Sequence, residues 1–114
     1  MECSLASAVL MAFTWVSGQM HPGVAVPKPH YEQSSALVEK LADNRHASAM
    51  AAFDLKKDII VVRDNWDCDR KYDQSFLVHE MVHHFQKAMK VDCAHNVEGC
   101  EAQAYALQDI YMHE

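Results

Sequence analysis

Residues 75–90, SFLVHEMVHHFQKAMK, can fold in few ways. On a wheel of about 100° per residue, Leu77, Val78, Met81, Val82, Phe85, Ala88 and Met89 fill one broad arc. An arc of that width has to be buried. A helix from about Gln74 to Lys90, with Asp73 as its N-cap, is therefore predicted to carry the rest of the fold on one side. His79, His83, Gln86 and Lys90 fall on a narrow stripe away from that arc. Residues at i and i+4 are neighbours on a helix surface, so His79 and His83 point the same way.

Two imidazoles so placed reach one ion of zinc size without distorting the backbone. Glu80 lies beside the stripe, where its carboxylate can take a proton from a water rather than bind the metal. His-Glu-x-x-His recurs by chance in unrelated chains, and a solvated helix face with some histidines is the plain alternative. Its position on a strongly amphipathic helix, histidines off the apolar face, is the context that the chemistry requires.

A catalytic zinc takes three protein ligands and keeps one position open. The metzincin pattern needs glycine at position 86 and histidine at position 89; the chain has Gln86 and Met89, which excludes it. Downstream stands EGCEAQAY, past a loop from about Val91 to Val97 that is long enough to fold a second helix back on the first. Glu101 is the better third ligand, because Ala102 and Ala104 allow two helices to approach closely and Tyr105 lies one turn on, on the same side. Glu98 ranks second and His95 third. An acid that merely favours a helix N-terminus is the alternative for Glu101.

The other segments frame this pair of helices. The chain has 114 residues, enough for one modest core. A net charge of −6 argues against non-specific nucleic-acid binding. Leu5 to Val16 is apolar and is followed by Ser17-Gly18, which predicts a secretory leader over 1–20, too short for a comfortable membrane span. No Lys or Arg precedes the run, and a buried N-terminal helix is the alternative. Residues 21–30, rich in proline, read as a linker to a domain over 31–114. Within it the periodicity predicts a helix from Tyr31 or Glu32 to about Asn44. A β-hairpin follows over 47–53 and 58–63, its alanine-rich first arm also compatible with a helix. After the polar loop DNWDCDRKYD and the long helix, a last helix runs from near Glu98 to the C-terminus. The class is α+β. With the leader removed, Cys68, Cys93 and Cys100 remain; Cys93–Cys100 is the preferred disulfide, Cys68 is free or pairs with either, and export is expected.

HEMVHHFQ followed by CEAQAYALQ resembles the gluzincin zinc peptidases, in particular the very small minigluzincins, and is similar to short bacterial zincin-like proteins with an HE-x-V-H-x-x-Q core. The resemblance covers about residues 31–114 and is specific over the two helices. It implies a small zincin-like domain binding Zn2+ through His79, His83 and Glu101. It also implies hydrolysis of peptide bonds by a zinc-activated water with Glu80 as general base. The strand before the active-site helix, here DIIVV, would line the cleft and pair with an extended peptide or protein substrate. Two rival readings stand beside this one. One is a non-catalytic, zinc-stabilised interaction module whose fourth position is closed by Cys93 or Cys100. The other is a metal-free binding domain with a polar helix.

Among the remaining residues, His84 reads as a partly exposed helix histidine and His21, His30, His46, His95 and His113 as surface. Asp109 is either an acceptor that orients a zinc histidine or a solvated acid. Gln86 supports the site from the ligand stripe. Trp66 and Tyr72 read as core packing or as a cleft wall.

Overall fold

The computed structural model describes residues 3–42 and 49–114. The long helix is its centre, and the chain builds layers around that helix from the N-terminus onward. Helix α1 (Leu5–Met20) is capped by Ser4, whose side chain accepts from Ser7 N while Ser7 reaches back to Ser4 N. Its residues Ala8, Val9, Ala12 and Val16 recur at helical spacing and are buried in the core shared with Leu77, Val78, Met81, Val82 and Phe85. Phe13 packs its ring 5.1 Å from that of Phe85. The segment expected to be a leader thus forms one wall of the core, and the body of the fold begins well before residue 31. Cys68, expected to be free or paired with Cys93 or Cys100, is bonded to Cys3 instead. That pairing came into reach only because the N-terminal segment lies against the fold.

Strand β1 (His30–Gln33) replaces the start of the helix predicted at Tyr31. Pro27 and Pro29 favour extended backbone in the residues before them, and β1 continues that course to pair in parallel with β3 (Ile59–Val62). Helix α2 (Ser35–Ala42) then starts at a Ser34 cap, its hydroxyl 3.2 Å from Leu37 N. The predicted end at Asn44, and residues 47 and 48 of the hairpin, lie outside the described residues. Strand β2 (Ala51–Asp54) pairs antiparallel with β3 and confirms the hairpin. Its turn places Asp58 in the left-handed region (φ 55°), a conformation that aspartate tolerates better than most residues. The sheet order is β1-β3-β2. With period-2 alternation, Ala51, Ile60 and Val62 face the core beneath the long helix, while Ala52 and Val61 meet Val38 of α2 on the other face. Both faces are covered, which is why Ile59–Val62 is an unbroken β-branched run.

The long helix, α3, spans Lys71–Ala88. It starts three residues earlier than predicted because Asp73 does not cap it: the Asp73 carboxylate accepts from Asp67 N (2.8 Å) and its carbonyl from Trp66 Nε1 (2.8 Å). Trp66 is buried core, one of its two expected roles. At its C-terminus, Lys90 is left-handed (φ 61°), Val91 N bonds Gln86 O and Lys90 N bonds Lys87 O, a Schellman arrangement. The final helix, α4 (Val97–Met112), is capped by Asn96 on Gly99 N (3.2 Å), and Cys93–Cys100 closes the turn between the helices, as expected. The result is an α+β domain of four helices and three strands among the described residues. No helix among them is long and apolar enough to cross a membrane.

Candidate metal centre

Helix α4 returns along α3 with Ala104 fully buried between them. The small side chain lets the helices close up, which carries Glu101, one turn earlier, to the histidine stripe. Glu101 Oε1 lies 3.4 Å from His79 Nε2 and 2.5 Å from His83 Nε2. Ligand atoms of His79, Glu80 and His83 lie within 4.8 Å of one another. The four residues singled out from the sequence are therefore together. The competing ligands are not: Glu98 is exposed in the first turn of α4, and exposed His95 pairs with Asp92 (2.8 Å).

The electrostatics follow from that packing. The bonds from His79 and His83 hold the Glu101 carboxyl far below the usual carboxylate range, against the opposing effect of burial. Burial alone would lower the His83 pKa; the Glu101 bond, the field of Glu80 and the bond to Gln86 together raise it above its ordinary 6.5. Burial, then the Glu101 and Glu80 charges, pushes the Tyr105 phenol upward, so it stays protonated and able to donate. The Tyr105 ring lies 4.5 Å from that of His79, edge to face.

Two imidazoles and one carboxylate are the protein ligand set of a His2Glu zinc site. Ligand atoms about 2.0–2.1 Å from a tetrahedral ion stand roughly 3.3 Å apart, so the His79–Glu101 separation already suits one. The shorter His83–Glu101 contact is a direct ion pair, which a cation would open by replacing the shared proton. The donor set fits the metal expected from the sequence.

A groove of about 1070 Å³ opens over this cluster. Ala51, Phe53 and Leu55 form one wall, Phe76 and exposed Tyr72 another, and Val97 and Tyr105 a third. Tyr72 is thus a cleft residue, the sharper of its two expected roles. The strand beside the site is not DIIVV. β3 is the central strand, paired on both sides, and has no free edge for a peptide. Of the two edge strands among the described residues, β2 is the one beside the site, with Phe53 6.2 Å from the His83 ring. Because Met50 and Arg63 form a hydrogen-bonded pair, Ala51 and Phe53 turn their N–H and C=O groups away from β3.

A profile described as Domain of unknown function (DUF6647) matches residues 10–114. The chain belongs to that family. No curated protein and no solved structure matches it. In this DUF6647 domain the match begins inside α1, in keeping with that helix being part of the core.

Other expectations need correction. His84 is not a partly exposed residue of the DUF6647 helix: it is 1 % exposed, with Nδ1 2.8 Å from Asp58 Oδ1 and Nε2 2.6 Å from Pro27 O. The wheel could not show this, because the β2–β3 turn and the segment after α1 converge on it. Asp109 is bonded to neither His79 nor His83; its carbonyl and carboxylate face His113 at 2.8 and 3.4 Å. The residue on His79 is its neighbour Gln108, at 2.9 Å. Gln108 was missed, although Glu101, Tyr105 and Gln108 follow the i, i+4, i+7 spacing that puts all three on one face. Gln86 does support the site, through His83 Nδ1 at 2.8 Å. Of the histidines read as surface, His21, His30, His95 and His113 are exposed, and His46 lies outside the described residues.

Proposed function

We propose that this protein is a zinc-dependent metallopeptidase that cleaves peptide bonds, its ion held by His79, His83 and Glu101. The observation that carries the reading is the convergence of both histidine Nε2 atoms on Glu101 Oε1, with Glu80 beside them under a groove. A zinc ion there would acidify a water and polarise the scissile carbonyl. Glu80, 7 % exposed, accepts the proton of the attacking water and delivers it to the leaving amine. The substrate backbone pairs with the outward N–H and C=O groups of Ala51 and Phe53, which leads an extended chain past His83. The Tyr105 hydroxyl donates to the oxyanion that develops on the carbonyl. Two disulfides favour an exported location, since such bonds persist in oxidising compartments.

The rival zinc-stabilised module would close the fourth position with Cys93 or Cys100. Those sulfurs are bonded to each other, which removes the proposed fourth ligand and favours an open site. The test is zinc content by elemental analysis of the purified chain beside Glu101→Ala. One zinc per wild-type chain and clear loss in the variant are expected. A wild-type chain without zinc would remove the enzyme reading.

A further inference from the structure

Both histidines use Nε2 toward Glu101, so each has Nδ1 left over, and each Nδ1 meets a glutamine. We propose that Gln86 on α3 and Gln108 on α4 are positioning residues that lock His83 and His79 in the Nδ1-protonated tautomer, aiming both Nε2 lone pairs at the ion. This rests on the metal-centre reading above for its purpose, though not for its geometry.

The direction of each carboxamide is dictated by what lies behind it. Gln86 is 0 % exposed, and its Nε2 donates to Cys100 O (3.0 Å) and Gln103 Oε1 (2.9 Å). A main-chain carbonyl only accepts, so turning the amide over would set oxygen against oxygen. Gln86 Oε1 must therefore face His83 Nδ1, and an acceptor there requires that Nδ1 carry the proton. The second relay follows the same logic. The Ser75 hydroxyl gives its one proton to Tyr72 O (2.6 Å), leaving only lone pairs toward Gln108 Nε2 at 3.3 Å. Gln108 Oε1 then faces His79 Nδ1, which again holds the proton.

Each relay ends on a carbonyl of the opposite kind of anchor: Cys100 O belongs to α4, while Tyr72 O belongs to α3. Helix α4 thus orients both histidines of α3, His79 through Gln108 and His83 through Cys100 O behind Gln86. Cys100 is in addition bonded to Cys93 and directly precedes Glu101, so one anchored residue serves both a ligand and the relay behind another. The acceptors are neutral carboxamides rather than carboxylates. They set ring orientation without adding negative charge behind the histidines, so a divalent ion with Glu101 as sole anionic ligand keeps more of its charge for the substrate.

The experiment is long-range proton–nitrogen NMR of the 15N-labelled full chain carrying Glu101→Ala, metal-free at about pH 9, well above the ordinary histidine range, so that no Glu101 carboxylate competes for the Nε2 protons. Zinc affinity is measured alongside, on chains that keep Glu101, by competition with a chromogenic chelator. The Glu101→Ala chain should show Nδ1–H on both rings. Added to it, Gln86→Leu and Gln108→Leu should each release the tautomer of one ring only, and in the chain that keeps Glu101 each should weaken zinc binding by about 10–100-fold. Gln108→Glu should keep the His79 tautomer, because the Ser75 hydroxyl can turn to serve the carboxylate. Nε2–H rings in the Glu101→Ala chain, or leucine variants with unchanged tautomers and affinity, would overturn the proposal. Should Gln86→Leu fail to fold, the Gln108 pair decides. Should wild type take up no zinc, the enzyme reading falls, and the metal-free spectra alone decide the tautomers.

Discussion

His83 Nε2 and Glu101 Oε1 lie 2.5 Å apart, joining α3 to α4 at the point where the ion is expected to sit. In the metal-free chain this is a hydrogen-bonded ion pair, and its two partners shift in opposite directions. His83 is raised, so its contribution to stability is complete below its ordinary 6.5 and is lost as pH rises through the raised folded value. Glu101 is lowered, so its contribution is present above its ordinary 4.5 and is lost as pH falls through the folded value well below that. The pair supports the metal-free fold most between the two ordinary values. Zinc must displace the His83 proton, so affinity should rise by about tenfold per pH unit below the His83 pKa. Chelator competition at several pH values checks this; a flat affinity across weakly acidic to neutral pH would refute it.

Glu80→Gln keeps the shape of the side chain and removes the base. Cleavage of a peptide library should fall by about 10²–10⁴-fold, while zinc per chain stays at the wild-type level. Full activity in this variant would rule out Glu80 as the proton carrier.

The two disulfides should differ in what they stabilise. Cys93–Cys100 joins residues 7 apart in sequence and Cys3–Cys68 residues 65 apart. On the loop-entropy relation their loss costs about 2–3 and about 4 kcal/mol respectively. Urea unfolding of Cys93→Ser/Cys100→Ser and Cys3→Ser/Cys68→Ser chains should show that order. Only the first pair should also weaken zinc binding, because only Cys100 adjoins Glu101 and carries the Gln86 relay.

Lys90 occupies the left-handed position that ends α3, where a Cβ is unfavourable. Lys90→Gly should raise stability by about 1 kcal/mol in urea unfolding without altering zinc affinity. A loss of stability would mean that the lysine side chain contributes more there than the backbone strain costs.

Helix periodicity made the central features legible. The apolar arc of α3 demanded burial, the i, i+4 histidines shared a stripe, and Glu101 followed on a helix that a short loop could fold back. These are local relations, set by residue type and 3.6-residue geometry. The hairpin was legible for a similar reason, since Ile59–Val62 is β-branched throughout. Helix α2 was displaced because parallel pairing of β1 with β3 joins residues about thirty positions apart, which no local window contains.

What the sequence by itself determined, then, was which side chains share a face: His79 with His83, Glu101 with Tyr105, and the apolar arc opposite. The tertiary structure decided what those faces meet. It placed α1 in the core, made β2 an edge strand and β3 the central one among the described residues, buried His84 between Asp58 and Pro27, and chose Gln108 over Asp109 behind His79. Each of those outcomes depends on contacts between segments distant in the chain, where burial and hydrogen-bond satisfaction are settled only once the whole core has closed.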